Sequence, residues 1–179
     1  VMSITVFVAL QSFTAILDTS RGVKDMNPGD YAVTNETVGI DPESVEKIRR
    51  NELVENLATT KLSVYSQDEN GTLPVELDFD LQSWEVFQIA GMDDIRLAAH
   101  AEGVSGQDLA DLESGAARLV KNPIPFAYEG KTVEATDFAY NDVISVNGRR
   151  LRIAGVTEAA VTINNAGFTN GVQITVCDE

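Results

Sequence analysis

The hydrophobic and polar positions of this chain form three successive patterns: an uncharged leader, short helical stretches and a series of alternating segments. Residues 1–17 contain no charged side chain, and the first charge is Asp18. As a helix this leader would be roughly 25 Å long, slightly short of a bilayer's hydrocarbon core of about 30 Å. We therefore expect it to be the end of a membrane helix. A packed core helix and a signal-peptide remnant are the alternatives.

Helix signals follow the leader. Asp41 followed by Pro42 predicts a helix start, because Asp is a favourable N-cap and Pro at the first helical position gives up no hydrogen bond. Two shorter helices are predicted over residues 94–101, with Asp93 as the cap, and over residues 105–112.

Alternation of apolar and polar residues, which is typical of strands with one buried face, recurs through the rest of the chain. The predicted strands cover residues 31–38, 58–67, 73–79, 84–92, 115–120, 142–146, 149–156, 161–164 and 171–177. Hairpin turns are predicted at the Asn-Gly pairs 70–71 and 147–148, because these residues readily adopt positive φ. This mixture of elements indicates an α+β fold, as one ordinary domain or two small subdomains.

The charge balance excludes one class of partner. The chain has 28 acidic and 13 basic residues and a formal net charge of −15. Such a surface repels nucleic acid, so we expect no nucleic-acid partner.

The single cysteine of the chain, Cys177, excludes an internal disulfide and a cysteine-based zinc site. For an extracytoplasmic protein, the lack of disulfides is more typical of bacteria.

Few residues are suited to catalysis. His100 is the only histidine, and one histidine cannot build a catalytic triad or a two-histidine metal site. We expect His100 to be an ordinary helix residue and Cys177 to be a buried strand residue. The sequence also contains no P-loop, no Gly-x-Gly-x-x-Gly motif and no Gly-x-Ser-x-Gly motif. We therefore expect no catalytic, cofactor or metal site.

Carboxylates are the only abundant reactive groups. Three close pairs stand out, namely Asp78 with Asp80, Asp93 with Asp94, and Asp108 with Asp111. Paired carboxylates serve acid–base chemistry or bind calcium in some proteins, but none of these pairs has the spacing of a calcium loop. Close pairs also arise by chance in so acidic a chain. We interpret them as surface groups and expect no enzyme, with a carboxylate-dependent hydrolase as one alternative.

Several segments together resemble the extracytoplasmic core domain of FtsX-like, MacB-type ABC transporter permeases, particularly those of Gram-positive bacteria. The resembling segments are residues 3–10, 39–48, 84–92, 114–120 and 141–156. They are architectural patterns, not catalytic motifs, and together they extend over nearly the whole chain.

The resemblance implies a ferredoxin-like porter subdomain made from residues 25–81 and 157–179, with a smaller β-rich subdomain inserted over 82–156. Residues 1–24 would be the end of the first membrane helix and a stalk. The implied partners are an ABC ATPase subunit, a second permease copy, the lipid bilayer and an unknown extracellular substrate or protein. The domain would lie outside the cell membrane and transmit ATP-driven motion. A free-standing secreted or surface-attached binding module is the alternative.

Overall fold

The computed structural model describes residue 33 and residues 39–123, 127–157 and 171–178. The expected membrane helix and stalk over residues 1–24 lie outside this part of the chain. The predicted strand over 161–164 also lies outside it, as does the strand over 31–38 apart from residue 33.

Within the described residues the chain forms three helices and eight strands. The helices are α1 (Pro42–Arg49), α2 (Ile95–Ala101) and α3 (Gly106–Glu113). The strands are β1 (Thr60–Tyr65), β2 (Val86–Met92), β3 (Ala117–Lys121), β4 (Ala127–Tyr128), β5 (Lys131–Thr132), β6 (Val143–Val146), β7 (Arg149–Thr157) and β8 (Gly171–Cys177).

Six strands form one mixed sheet in the order β1-β2-β8-β3-β7-β6, and β4 and β5 form a separate two-stranded sheet. The β2/β8 and β3/β7 pairs are parallel, whereas the β1/β2, β3/β8 and β6/β7 pairs are antiparallel. The α+β class predicted from the sequence is confirmed. The large sheet takes strands from residues 25–81, 82–156 and 157–179, and the division into subdomains stays a prediction.

Both faces of the large sheet carry a hydrophobic cluster. Leu119 and Val120 are adjacent on β3 and fully buried, yet they belong to different clusters, because neighbouring strand residues point to opposite faces. The Leu119 cluster packs against α2 and α3 and includes Leu112. The Val120 cluster contains Phe87, whose ring packs against Tyr65 and Phe79. The sheet is therefore the middle layer of the domain.

The hairpin between β6 and β7 forms as predicted. Its two loop residues, Asn147 and Gly148, have φ values of 50° and 74°. Positive φ at both positions matches the twist of the flanking strands. Further along β7, Arg118 pairs with Ile153 and Leu119 with Gly155, so the register shifts by one residue at Ala154. A β-bulge of this kind bends the strand that carries it.

The predicted strand over residues 73–79 is wrong. A turn does form before it, since the Asp68 N–H donates to the Thr72 carbonyl at 2.9 Å and Gly71 has a φ of 77°. Asn70 does not have positive φ, and no strand follows the turn, so the predicted hairpin at 70–71 is wrong. Beyond the turn, Val75 is buried against the sheet and Leu77 makes only an isolated bridge to Val146 of β6. The segment therefore lies beside β6 without forming a continuous strand, and Val75 packs in the cluster on one sheet face, a difference that alternation alone does not distinguish.

The helix starts follow their capping residues. Asp41 accepts hydrogen bonds from the Ser44 N–H at 2.9 Å and the Ser44 hydroxyl at 2.6 Å, and Pro42 is the first residue of α1, as predicted. The cap of α2 is Asp94, which accepts from the Arg96 N–H at 3.1 Å, so the prediction of Asp93 as the cap is wrong. Asp93 instead forms hydrogen bonds with Thr59 and an ion pair with Arg49.

Candidate functional site

Of the carboxylates at residues 78 and 80, Asp78 joins two neighbouring segments. Its side chain accepts a hydrogen bond from the Ser145 N–H at 2.7 Å, and the Asp78 N–H donates to the Ser145 carbonyl at 3.3 Å. The Asp80 backbone carbonyl lies 3.1 Å from the Thr136 hydroxyl oxygen, but the one proton of that hydroxyl has a closer acceptor in Glu85 Oε2, at 2.6 Å. Asp78 thus fastens the 73–81 segment to β6.

The second pair divides between two structural tasks, since Asp94 caps α2 and Asp93 joins α1 to the sheet. Asp93 accepts from the Thr59 N–H at 2.6 Å and the Thr59 hydroxyl at 2.7 Å, and it forms an ion pair with Arg49 of α1 at 3.4 Å. Thr59 directly precedes β1, and Asp93 directly follows β2. This contact links α1, which has no buried residue of its own, to the sheet through a partly exposed ion pair.

The third pair surrounds an arginine that the sequence did not single out. Arg152 Nη2 lies 2.8 Å from Asp108 Oδ1 and 2.7 Å from Asp111 Oδ2. Its Nη1 donates to Asn141 Oδ1 at 3.0 Å, and the Tyr140 hydroxyl donates to Asp108 at 2.9 Å. These side chains connect α3 to β7, and those of Arg152, Asp108 and Asp111 are only about a quarter exposed.

The charges of this cluster stabilise one another. A hydrogen bond from Gln107 and then one from Arg152 lower the pKa of Asp111. The hydrogen bonds from Arg152 to Asp111 and Asp108 raise the pKa of Arg152. The ionised form of Asp111 is therefore favoured beside the Arg152 cation, which suits a structural charge network.

A buried carboxylate was also missed by sequence reasoning. Glu85 is only 2% exposed and accepts three hydrogen bonds. Its Oε1 accepts from the Thr136 N–H at 2.9 Å, and its Oε2 accepts from the Thr136 hydroxyl at 2.6 Å and the Gln82 N–H at 3.1 Å. The available signal in the sequence was the position of Glu85, which directly precedes Val86, the first residue of the largely apolar strand β2. Glu85 fastens the 133–139 segment to the beginning of β2.

The other two residues considered from the sequence, His100 and Cys177, lie apart from these contacts. His100 is an exposed residue of α2. Cys177 lies in β8 as predicted, but it is half-buried instead of fully buried. In the part of the chain that the structure describes, no three His, Cys, Asp or Glu side chains are placed to hold a metal ion. None of the described helices has both the length and the apolar composition needed to span a bilayer.

Comparison with known proteins gives no family assignment. No protein-family model, curated protein or solved structure matches the chain. What the described residues offer is a set of polar contacts that join helices and connecting segments to one sheet. Such contacts can make a domain more rigid and allow it to transmit force.

Proposed function

We propose that this chain is the extracytoplasmic domain of an FtsX-like, MacB-type ABC transporter permease. Its role is to transmit ATP-driven motion to, or to contact, a substrate or partner outside the cell membrane. In this proposal residues 25–81 and 157–179 form a ferredoxin-like porter part, and residues 82–156 form an inserted β-rich part. Residues 1–24 continue from a membrane helix, and the protein is not an enzyme. Its partners are an ABC ATPase subunit and a second permease copy.

One observation supports this role above the others: β8, from near the end of the chain, lies in the middle of the sheet. It pairs with β2 over the full length of both strands, from Val86 with Gly171 to Met92 with Cys177. It also pairs with β3 on its other side. A relay of motion requires stiffness between its input and its output, and a hydrogen-bonded sheet with packed faces resists deformation.

The polar contacts described above add to this stiffness. Asp93 fastens α1, Arg152 fastens α3, Glu85 fastens the 133–139 segment and Asp78 fastens the segment beside β6. Because these contacts join elements that are far apart in sequence, displacement of one element would be passed to the sheet. The use of Asp78, Asp93, Asp108 and Asp111 in such contacts favours a non-catalytic role.

Purification of the intact gene product tests the proposal. The full-length protein, carrying an affinity tag, would be expressed in its source cells and recovered from detergent-solubilised membranes, beside a tagged secreted protein as the control. We expect an ATPase subunit with a Walker motif to co-purify in comparable amount. Recovery from the medium without an ATPase would contradict the proposal and support a free-standing binding module. Hydrolytic turnover abolished by Asp78→Ala or Asp80→Ala would contradict it in favour of a hydrolase.

A further inference from the structure

Two guanidinium groups converge where α3 leads into β3, at a site that we call the Gly115 corner and define by Gly115, Arg118 and Arg149. Arg118 Nη1 donates to the Gly115 carbonyl at 2.8 Å and to the Ala117 carbonyl at 2.6 Å. Arg149 Nη2 donates to the same Gly115 carbonyl at 3.2 Å. One carbonyl oxygen therefore receives hydrogen bonds from two groups of like charge.

Neither arginine of the Gly115 corner has a carboxylate partner among the described residues. The ion pairs of the described residues engage other cations, including Arg96 with Glu113 and Arg152 with Asp108 and Asp111. Arg118 nevertheless is only 7% exposed, and its Nε is buried without a hydrogen-bond partner. A buried cation without a counter-charge is costly, and the residues that the structure describes place no carboxylate against Arg118.

The electrostatics of the corner agree with this reading. Burial lowers the pKa of Arg118, and the nearby charge of Arg149 lowers it further. The Cys177 side chain acts in the opposite direction and raises the pKa of Arg118. An anion bound between the two guanidinium groups would relieve both their mutual repulsion and the uncompensated charge of Arg118.

The backbone leaves room for the guanidinium at this corner. Gly115 has a φ of 72°, a conformation that suits glycine. A Cβ added to it would lie 3.7 Å from Arg118 Nη1 and 3.9 Å from Arg118 Nη2. The Arg118 guanidinium thus lies against bare backbone, while Arg149 is exposed to solvent on the hairpin side.

We propose that the Gly115 corner is a phosphate-binding site, in which Arg118 and Arg149 together hold one phosphate group. Two guanidinium groups match the charge of a phosphate near neutral pH. With Arg118 Nη1 bonded to two carbonyls and Nε buried, Arg118 Nη2 and the donors of Arg149 outside its Gly115 bond are the groups that would bind its oxygens. The phosphate is either a free ion or the headgroup of an anionic lipid. Because the chain as a whole is strongly acidic, long-range attraction does not account for binding, and contact with these two side chains must supply it.

Phosphate titration of the 179-residue protein tests this proposal. Backbone and arginine side-chain NMR signals would be followed at constant ionic strength and pH 7.5 as inorganic phosphate is added. The test variant is Arg149→Gln, which alters an exposed residue and should leave the fold intact. The matched control is Arg150→Gln, the same change at the next residue of β7, whose side chain is also exposed.

We expect saturable shifts at Gly115 and Arg118 in the wild type and in Arg150→Gln, and binding about tenfold weaker in Arg149→Gln. Equal weakening in both variants would contradict the proposal, because it would reflect net charge alone. Absence of a saturable shift in the wild type would also contradict it, unless the vesicle experiment below gave site-dependent binding.

The vesicle experiment distinguishes the two sources of phosphate. Co-sedimentation with phosphatidylglycerol vesicles, compared with neutral phosphatidylcholine vesicles, would be measured for the same three proteins. Binding to the anionic vesicles that is lost in Arg149→Gln but kept in Arg150→Gln would identify a lipid headgroup. Saturable binding of inorganic phosphate without vesicle binding would identify the free ion, and failure of both experiments would overturn the proposal.

Discussion

Removal of the buried Glu85 charge is the most informative test of how the domain is held together. The change Glu85→Gln keeps the size of the side chain but turns one acceptor oxygen into an NH2 donor. In the wild type Oε1 accepts from the Thr136 N–H, and Oε2 accepts from the Gln82 N–H and the Thr136 hydroxyl. Either orientation of the new amide therefore leaves at least one backbone N–H facing another donor.

The size of the effect follows from this count. A buried donor left without an acceptor costs about 1–3 kcal/mol, and the bonds that remain lose the contribution of the negative charge. Relief of the carboxylate's own desolvation offsets part of this loss. We expect Glu85→Gln to lower the free energy of unfolding by about 2–3 kcal/mol, a large part of the 5–15 kcal/mol that is typical of a domain.

Urea denaturation followed by the fluorescence of Trp84, the only tryptophan, gives the required free energies. Thr136→Val keeps the Thr136 backbone bond to Glu85 but removes the hydroxyl with its contacts to Glu85 and the Asp80 carbonyl, and should cost about 1 kcal/mol; the double variant should lose less than the sum of the two single losses. Glu69→Gln, in an exposed turn, is the control and should change stability by less than about 0.5 kcal/mol. A stability of Glu85→Gln equal to that of the control would refute the reasoning.

Three further predictions concern the glycine at the bulge, the α3 contact and the α1 cap. Gly155→Ala should cost about 1–3 kcal/mol in the same denaturation assay, because its Cβ would lie 2.9 Å and 3.1 Å from two apolar side chains; unchanged stability would contradict this. Arg152→Gln should lower the melting temperature by about 3 °C or more relative to Arg150→Gln, and 0.5 M salt should reduce this difference in melting temperature. Equal melting temperatures of the two variants would argue against a stabilising contact between Arg152 and α3. The hydrogen bond from the Ser44 side chain lowers the pKa of Asp41, so an NMR titration should find its midpoint below the ordinary value of 3.8. Because the folded pKa is the lower one, this stabilisation is present above the unfolded pKa and disappears as pH falls through the folded pKa; Ser44→Ala should raise the midpoint, and an ordinary midpoint in the wild type would contradict the cap.

Features that depend on local chemistry could be predicted from the sequence. Asp41 and Pro42 start α1, and Asn147 and Gly148 turn the β6–β7 hairpin, because a cap and a two-residue turn are decided within a few neighbouring residues. The existence of β1, β2, β3 and β8 could also be predicted, because their patterns extend over five or more residues.

Features that depend on distant partners could not be predicted. Residues 73–79 alternate as a strand does. Alternation could not show that Val75 packs in the buried cluster on one sheet face and that only an isolated bridge forms with β6. The alternating pattern over residues 149–156 could not show that Arg152 forms ion pairs with the carboxylates of α3. The position of β8 between β2 and β3 is likewise a property of the whole sheet.

The location of this domain is the central claim, and labelling of intact cells tests it most directly. Glu69→Cys would be placed in the exposed turn of the full-length protein with Cys177→Ser, and the cells would be treated with a membrane-impermeant maleimide. Phe87→Cys in the same background is the buried control and should react only after denaturation. We predict equal labelling at position 69 in intact and permeabilised cells, on protein that stays with the membrane. Labelling only after permeabilisation would place the domain inside the cell and contradict the account.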